Sequence, residues 1–240
     1  MQLTDFKALS FGCYGTLIDR DSGIYAALQP LLRAGHISVA RDDVLAAFVR
    51  HEVAQQAEAP TMLYSRILTD AHRRLAREWG VLLSDDTHAL FGESVPRWPV
   101  FADAPAALQY LKRYYKLAVL SNVDKQNWAG TARRLDVRFD AVFTSEEIGS
   151  YKPDTRNFEY LIARLAKAGL ARQDILHVAA SLTRDQVPAS RCDLAFAWVD
   201  RPRGNKNPEA IAAPFPNAGN HFRFTSIVDL VKAHQEQLLA

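Results

Sequence analysis

Polar residues that could do chemistry follow the apolar runs of this sequence. Ser121 and Asn122 come directly after the run at 116–120, a pattern typical of a helix N-cap, and the free backbone amides of a helix start bind a carboxylate well. Lys152 precedes a proline, which restricts the lysine backbone. Asp185 lies in the first turn of a predicted helix, where the helix dipole favours an acid. Taken alone, Lys152 would be a solvated lysine, and these residues could form a polar site only if the fold brings them together.

Five short apolar runs alternate with amphipathic segments along the chain. The runs, which predict buried strands, cover residues 7–11, 116–120, 141–144, 174–180 and 194–199. The amphipathic segments, which predict helices, cover residues 105–113, 125–135, 155–168 and 185–192. This alternation favours a doubly wound α/β fold, with a parallel sheet, helices on both of its faces and ligands at the carboxyl ends of the strands.

Residues 22–97 break the alternation. No strand is convincing there, and apolar residues recur at helical spacing, as at Val44 and Phe48. We therefore predict an all-helical insertion, and a Trp-Pro pair after it marks the return to the α/β core. The predicted domains are a core of residues 1–19 and 98–240 and a helical domain of residues 20–97.

The segment after the first run carries a recognisable motif. Residues 11–19 read Phe-Gly-Cys-Tyr-Gly-Thr-Leu-Ile-Asp, which resembles the first motif of the haloacid dehalogenase superfamily. The likeness is strongest to the type II (S)-2-haloacid dehalogenases, where Phe-Asp-x-Tyr-Gly-Thr-Leu is usual. Further motifs follow in the family's order at residues 120–122, 151–154 and 180–189. The helical insertion stands where the family carries its cap, so the resemblance covers nearly the whole chain.

The resemblance implies a role for each motif residue. Gly12 stands at the position of the family's nucleophilic aspartate, Lys152 pairs with that nucleophile and stabilises developing charge, and Asp185 orients Lys152 and the hydrolytic water. Ser121 binds the substrate carboxylate, and Asn122 shapes the site. The other implied substrate-binding residues are Thr16, Tyr14, Arg50 and Phe158.

Two of these residues have a second interpretation. Arg50 resembles the family arginine that receives the leaving halide, and a fixed cation over an apolar pocket suits a departing anion. Composition alone predicts that Arg50 is a surface arginine. Phe158 stands where some dehalogenases have tyrosine, so it is expected to form the pocket wall or part of the core.

Tyr14 separates two reaction classes of the superfamily. Phosphatases place a second aspartate two residues after the nucleophile, as general acid and magnesium organiser, and here that position is aromatic. The last motif has one clear acid, Asp185, and no adjacent acidic pair for a hard cation. The resemblance therefore implies a site without metal or cofactor that takes a small 2-haloacid and releases a halide ion. A metal-dependent phosphatase and a non-catalytic small-carboxylate binding protein remain alternatives.

Gly12 removes the central group of the implied reaction. In that reaction an aspartate attacks C2 of the 2-haloacid, the halide leaves, and water hydrolyses the aspartyl ester to the 2-hydroxyacid of opposite configuration. Because Gly12 has no side chain, we expect the chain to be inactive or strongly impaired. The open accounts are a deliberately inactivated variant, which the retained motifs favour, a natural member without activity, and direct attack by water. Gly12→Asp is expected to restore activity with little change in the fold.

Composition excludes other classes of function. The 240 residues carry 29 basic and 27 acidic side chains, for a net charge of +2, which argues against a nucleic-acid partner. The two cysteines, Cys13 and Cys192, provide neither a disulfide framework nor a zinc motif. No apolar stretch has the length of a membrane helix. We expect a cytoplasmic protein without a membrane partner, and a homodimer is compatible with the sequence.

Overall fold

A parallel sheet of six strands forms the centre of the fold. The computed structural model describes residues 1–201 and 221–240. The strands are β1 (Ala8–Phe11), β2 (Lys116–Ser121), β3 (Ala141–Thr144), β4 (Ile175–Ala179), β5 (Ala195–Val199) and β6 (His221–Phe224). Every neighbouring pair is parallel, and the order is β3-β2-β1-β4-β5-β6. The predicted parallel sheet is confirmed.

Helices of this part of the chain cover both faces of the sheet. They are α1 (Arg20–Ala34), α2 (Arg41–Glu58), α3 (Tyr64–Glu78), α4 (Asp85–Gly92), α5 (Ala104–Leu111), α6 (Lys125–Leu135), α7 (Ser145–Ile148), α8 (Arg156–Ala166), α9 (Val187–Arg191) and α10 (Ile227–Leu239). Successive strand side chains point to opposite faces. Leu9 and Phe11 therefore join one hydrophobic cluster, with α5, α6 and α10, while Ala8 joins another, with α8 and α9.

Residues 20–97 contain α1 to α4, a short 3-10 turn at Val95–Arg97 and no strand. α3 packs against both α2 and α4. α2 buries Val44, Phe48 and Glu52 along one face, since residues four apart lie on the same side of a helix. The predicted helical content of this segment is confirmed. Its status as a separate domain stays a prediction, and residues 202–220 of the predicted core lie outside the described residues.

The strand order reverses between β1 and β4. Chain connections leave these two strands in opposite directions along the sheet, and such a point opens a crevice where α/β folds bind ligands. Gly12 follows β1, and a turn of π-helix at Leu182–Gln186 follows β4. The first and last motifs therefore meet at the crevice.

The structure contains elements that were not predicted, namely β6, α7 and α10, and it divides one predicted helix. β6 was not predicted, because its four residues include a histidine and an arginine and give no apolar run. The helix predicted at 185–192 is divided into the π-helical turn and α9. Among the described residues, no helix combines the length and apolarity needed to cross a bilayer.

Candidate active site

A pocket lies beyond the carboxyl ends of the strands, and both the sheet loops and the helices of residues 20–97 contribute to it. It brings together five of the residues predicted from the sequence, namely Tyr14, Ser121, Asn122, Lys152 and Asp185. The other lining residues are Cys13, Arg20, Asp21, Glu52, Tyr64, Ser181 and Arg184. The pocket is therefore rich in charged groups.

Lys152 and Asp185 form a buried ion pair at the base of the pocket. The Lys152 Nζ donates to Asp185 Oδ1 and to the carbonyl oxygen of Leu120, at 2.9 Å from the latter. Both residues are only 5% exposed. Burial opposes ionisation of Asp185, but Lys152 and His177 more than offset it and lower the pKa of the carboxyl to about 2. Asp185 is thus a carboxylate near neutral pH and a weak general base.

His177 holds Asp185 from beneath the pocket. Its Nε2 lies 3.1 Å from Asp185 Oδ1, and its Nδ1 lies 3.0 Å from Ser10 Oγ. Burial lowers the pKa of His177. The neutral ring therefore donates a hydrogen bond from Nε2 to Asp185 and accepts a hydrogen bond from the Ser10 hydroxyl at Nδ1. Ser10 is fully buried and does not line the pocket. The trio orients Asp185 and is not a serine nucleophile with its base. The sequence analysis missed His177.

Gly12 comes directly after β1 and faces Asp185. Its N–H donates to the carbonyl oxygen of Val178 at 3.0 Å. A Cβ at Gly12 would lie 3.3 and 3.4 Å from the two Asp185 carboxylate oxygens and 2.9 Å from Ala179 Cβ. The last distance is well below an ordinary carbon–carbon contact of roughly 3.5–4.0 Å. A side chain at position 12 therefore requires a small shift of β1 or β4, and the expectation that an aspartate leaves the fold nearly unchanged stays a prediction.

Asn122 acts on the backbone of the site. Its Nδ2 donates to the Lys152 carbonyl oxygen at 3.0 Å, and its Oδ1 accepts the Lys152 N–H at 2.8 Å. The predicted N-cap is wrong, because α6 is capped by Asp124, whose carboxylate accepts the Asn127 N–H. Ser121 lies at the end of β2, where it is 3% exposed and lines the pocket.

Thr16 joins two loops of the site and does not line the pocket. Its Oγ1 accepts the Ala180 N–H at 2.9 Å. Its carbonyl oxygen accepts from Arg201 Nη2 at 2.7 Å, and Arg201 also pairs with Asp103. The resemblance implies that Thr16 contacts the substrate. In the structure its side chain instead holds the loop at Ala180.

Cys13 and Tyr14 line the pocket as neutral groups. Burial raises the pKa of the Cys13 thiol, and a protonated thiol is a poor nucleophile. Burial also raises the pKa of Tyr14 well above its usual value. The Tyr14 hydroxyl lies 3.0 Å from Thr131 Oγ1, and its ring packs edge-on against Trp98. Neither side chain replaces the carboxylate that residue 12 lacks.

Comparison with known families explains this arrangement. Residues 6–185 match the model of the haloacid dehalogenase-like hydrolases. The chain belongs to this family. The Lys152–Asp185 pair therefore lies at the crevice of a haloacid dehalogenase-like hydrolase.

Relatives of this hydrolase include several dehalogenases. An (S)-2-haloacid dehalogenase from Pseudomonas fluorescens is 23% identical over 219 residues, which are 84% of this chain and 88% of the relative. A crystal structure of an L-2-haloacid dehalogenase has a TM-score of 0.79 and 22% identity, covering 97% of this chain and 99% of the other. The L-2-haloacid dehalogenase from Xanthobacter autotrophicus with chloropropionic acid covalently bound has a TM-score of 0.77 and 18% identity, covering 98% and 100%. At these identities the structural likeness shows the fold alone.

An ion cluster lines the pocket of the hydrolase where the helical segment meets the turn after β4, and it is formed by buried Arg20, buried Glu52 and partly exposed Arg184. Glu52 is fully buried and accepts from Arg20 Nη2 and from the Tyr64 hydroxyl, the latter at 2.7 Å. Arg184 Nη2 lies 3.7 Å from Glu52 Oε2. Burial opposes ionisation of Glu52, but Arg20 and then Arg184 more than offset it and lower its pKa. Sequence analysis missed this cluster, although Glu52 lies four residues after Phe48 on the buried face of α2.

Two predicted residues of the hydrolase lie away from the pocket. The Arg50 side chain is 62% exposed and binds Glu78 at 3.0 Å. Residues two apart on an α-helix point to different sides, so Arg50 faces solvent while Glu52 faces the pocket. The prediction that Arg50 reaches the pocket is wrong. Phe158 is fully buried, with its ring edge-to-face against His177 at 5.1 Å. It belongs to the core and not to the pocket wall.

Proposed function

We propose that this chain is a 2-haloacid dehalogenase scaffold that binds small (S)-2-haloacids and, with Gly12, does not form the aspartyl ester. The observation that carries the proposal is the position of Gly12, whose Cβ would lie 3.3 Å from the carboxylate of the Lys152–Asp185 pair. A relative named (S)-2-haloacid dehalogenase supports this substrate class. So does a relative of the same fold that holds chloropropionic acid covalently.

Five pocket residues have a role in the proposed reaction of an enzyme with an aspartate at position 12. Ser121 donates to the substrate carboxylate. Lys152 neutralises the attacking carboxylate and the oxyanion of ester hydrolysis, while Asp185 holds the lysine in place. The halide departs toward the helical side, where Arg20 and Arg184 supply positive charge. This arginine pair replaces Arg50 in the proposal.

With Gly12 in place, no carboxylate attacks C2 and the acid is held without turnover. Attack by a water molecule would need a general base. Asp185, with a pKa of about 2 and an ion pair to Lys152, is poorly suited to that role. We therefore propose binding without halide release for the chain as it stands, whether Gly12 is natural or engineered.

A magnesium-dependent phosphatase is the competing function. Its second aspartate would stand at position 14, which is Tyr14. Within residues 1–201 and 221–240, no group of three or more His, Cys, Asp and Glu side chains is arranged to hold a metal ion. No observation favours the phosphatase over the dehalogenase.

Halide release by Gly12→Asp tests the proposal. The variant and the unchanged chain are incubated with (S)-2-chloropropionate, and chloride and the configuration of the lactate are followed. We expect (R)-lactate from Gly12→Asp, at a rate above that of the unchanged chain by on the order of 10⁶, as for loss of a nucleophile in a coupled catalytic unit. Gly12→Ala is the matched control, since it adds the Cβ without the carboxylate.

Three outcomes would overturn the proposal or one of its steps. A folded Gly12→Asp variant that releases no halide from any small haloacid would exclude the dehalogenase. Magnesium-dependent hydrolysis of p-nitrophenyl phosphate by the same variant would identify the phosphatase. Comparable chloride release by the unchanged chain would instead exclude the covalent step and show direct attack by water.

A further inference from the structure

The charges that line the pocket form two groups that meet at the turn of Leu182–Gln186. At the base, Lys152 and Asp185 pair with each other. Beside this pair, Arg20 and Arg184 face the carboxylate of Glu52, and Arg20 also lies 3.5 Å from Asp21. Arg184 immediately precedes Asp185 in the chain, whereas Glu52 lies on α2, so the charge of Glu52 can be changed without altering either member of the Lys152–Asp185 pair.

Glu52 occupies the place that an anionic ligand group would take between two guanidinium groups. It is fully buried on α2, and Tyr64 holds its second oxygen through a 2.7 Å hydrogen bond. Arg20 is also buried, and its Nε has no hydrogen-bond partner among the residues that the structure describes. The arginine pair thus keeps a buried donor beyond those that Glu52 uses.

We propose that Glu52 determines the charge of the ligand, because it offsets part of the positive charge of Arg20 and Arg184 and so favours acids with one carboxylate over acids with two. The inference rests on the proposed function for the first carboxylate, which binds at Ser121. A second carboxylate on the ligand would meet Glu52 in a site of low dielectric constant, where like charges repel strongly. Without the charge of Glu52, the guanidinium groups of Arg20 and Arg184 can attract a second anionic group of a ligand in the pocket.

Two variants move the charge of the helical side in opposite directions. Glu52→Gln keeps the shape of the side chain and an acceptor for Tyr64, and it removes one negative charge from the lining of the pocket. Arg184→Gln removes one positive charge and leaves the Arg20–Glu52 pair. Glu58→Gln is the matched control, because Glu58 is on the same helix but exposed and paired with Arg74.

Calorimetric titration of the full chain, with Gly12 in place, tests the inference. The probes are (S)-2-chloropropionate, with one carboxylate, and (S)-2-chlorosuccinate, with two. We expect Glu52→Gln to bind chlorosuccinate about tenfold tighter, a change of ~1.4 kcal/mol, with chloropropionate changed by less than about threefold. Arg184→Gln should shift the preference toward chloropropionate, and Glu58→Gln should leave it unchanged.

The outcomes separate this inference from the proposed function. If the unchanged chain does not bind chloropropionate, the proposed function fails. If it does, and Glu52→Gln gains no preference for chlorosuccinate, the inference about Glu52 fails alone. If Glu52→Gln does not fold, the Arg184→Gln variant decides, and an unchanged preference in that variant overturns the inference.

Discussion

Filling the position of Gly12 has a structural consequence that can be measured apart from activity. The backbone itself permits a side chain, because Gly12 is not among the described glycines with positive φ. The obstacle is contact, since a Cβ would lie 2.9 Å from Ala179 Cβ. Gly12→Ala tests this contact alone, and Gly12→Asp adds a carboxylate beside Asp185. Both variants should lower the free energy of unfolding.

The magnitude follows from opposing effects. A side chain at position 12 restricts the unfolded chain, which stabilises by about 0.4–1 kcal/mol, while overpacking costs about 1–3 kcal/mol. Gly12→Ala should therefore be less stable by about 1 kcal/mol. In Gly12→Asp, two carboxylates ~4 Å apart repel by about 4 kcal/mol at an effective dielectric constant near 20. Lys152 offsets much of this, which leaves about 2–4 kcal/mol in total, within the roughly 5–15 kcal/mol of a typical native state.

Urea denaturation at several pH values measures these differences. We expect the repulsion to raise the pKa of one carboxyl in the folded state above its unfolded value, so this group takes up its proton at higher pH in the folded chain than in the unfolded chain. The stability of Gly12→Asp should therefore approach that of Gly12→Ala in acid. Innocuous surface substitutions usually change the free energy of unfolding by less than about 0.5 kcal/mol. If both variants unfold with a free energy within that range of the unchanged chain, the close approach of β1 and β4 is refuted.

Other predictions concern ion pairs and the buried histidines. Asp185→Asn leaves Lys152 buried without its carboxylate and should lower the unfolding free energy by about 3–5 kcal/mol in urea denaturation; a loss below ~1 kcal/mol would contradict the buried pair. Arg50→Ala should change chloropropionate affinity by less than about twofold and stability by less than ~1 kcal/mol, as for an exposed ion pair. Burial and the neighbouring His88 lower the pKa of His72 to about 3. The unfolded state therefore binds more protons below pH ~6.5, and stability should fall with pH from there by at most about 1.4 kcal/mol per unit. His72→Gln should remove that slope, and an unchanged slope would show that other groups cause it.

The sheet was readable from the sequence because its strands are apolar runs. β2 and β4 are buried along nearly all of their length, so they give the continuous apolar pattern of a strand covered on both faces. β6 lacks this pattern. The positions of Lys152 and Asp185 were also predictable, since the carboxyl ends of parallel strands meet at one edge.

The helical side of the pocket was not readable in the same way. The sequence of a helix shows which residues share a face but not which face meets the pocket. Arg50 was therefore predicted to reach the pocket, whereas Glu52 is the residue of α2 that lines it. Glu52 could have been found, because a lone acid on the apolar face of α2 requires a buried partner. Its partners Arg20 and Arg184 are distant in sequence, and no local pattern connects them. The contact of Gly12 with Ala179 depends on the separation of two strands, which no residue pattern records.

The central place of β1 also affects how the protein matures during synthesis. β1 is made first, yet its backbone pairs with β2 at Lys116 and with β4 at Ile175. While the ribosome makes the intervening chain, this apolar strand has no sheet partner, and nonlocal parallel pairing is slow and exposed to aggregation. The backbone of β1 therefore stays without its two sheet neighbours until β2 and then β4 have been made. The Gly12 motif takes its final position only after β4 has emerged.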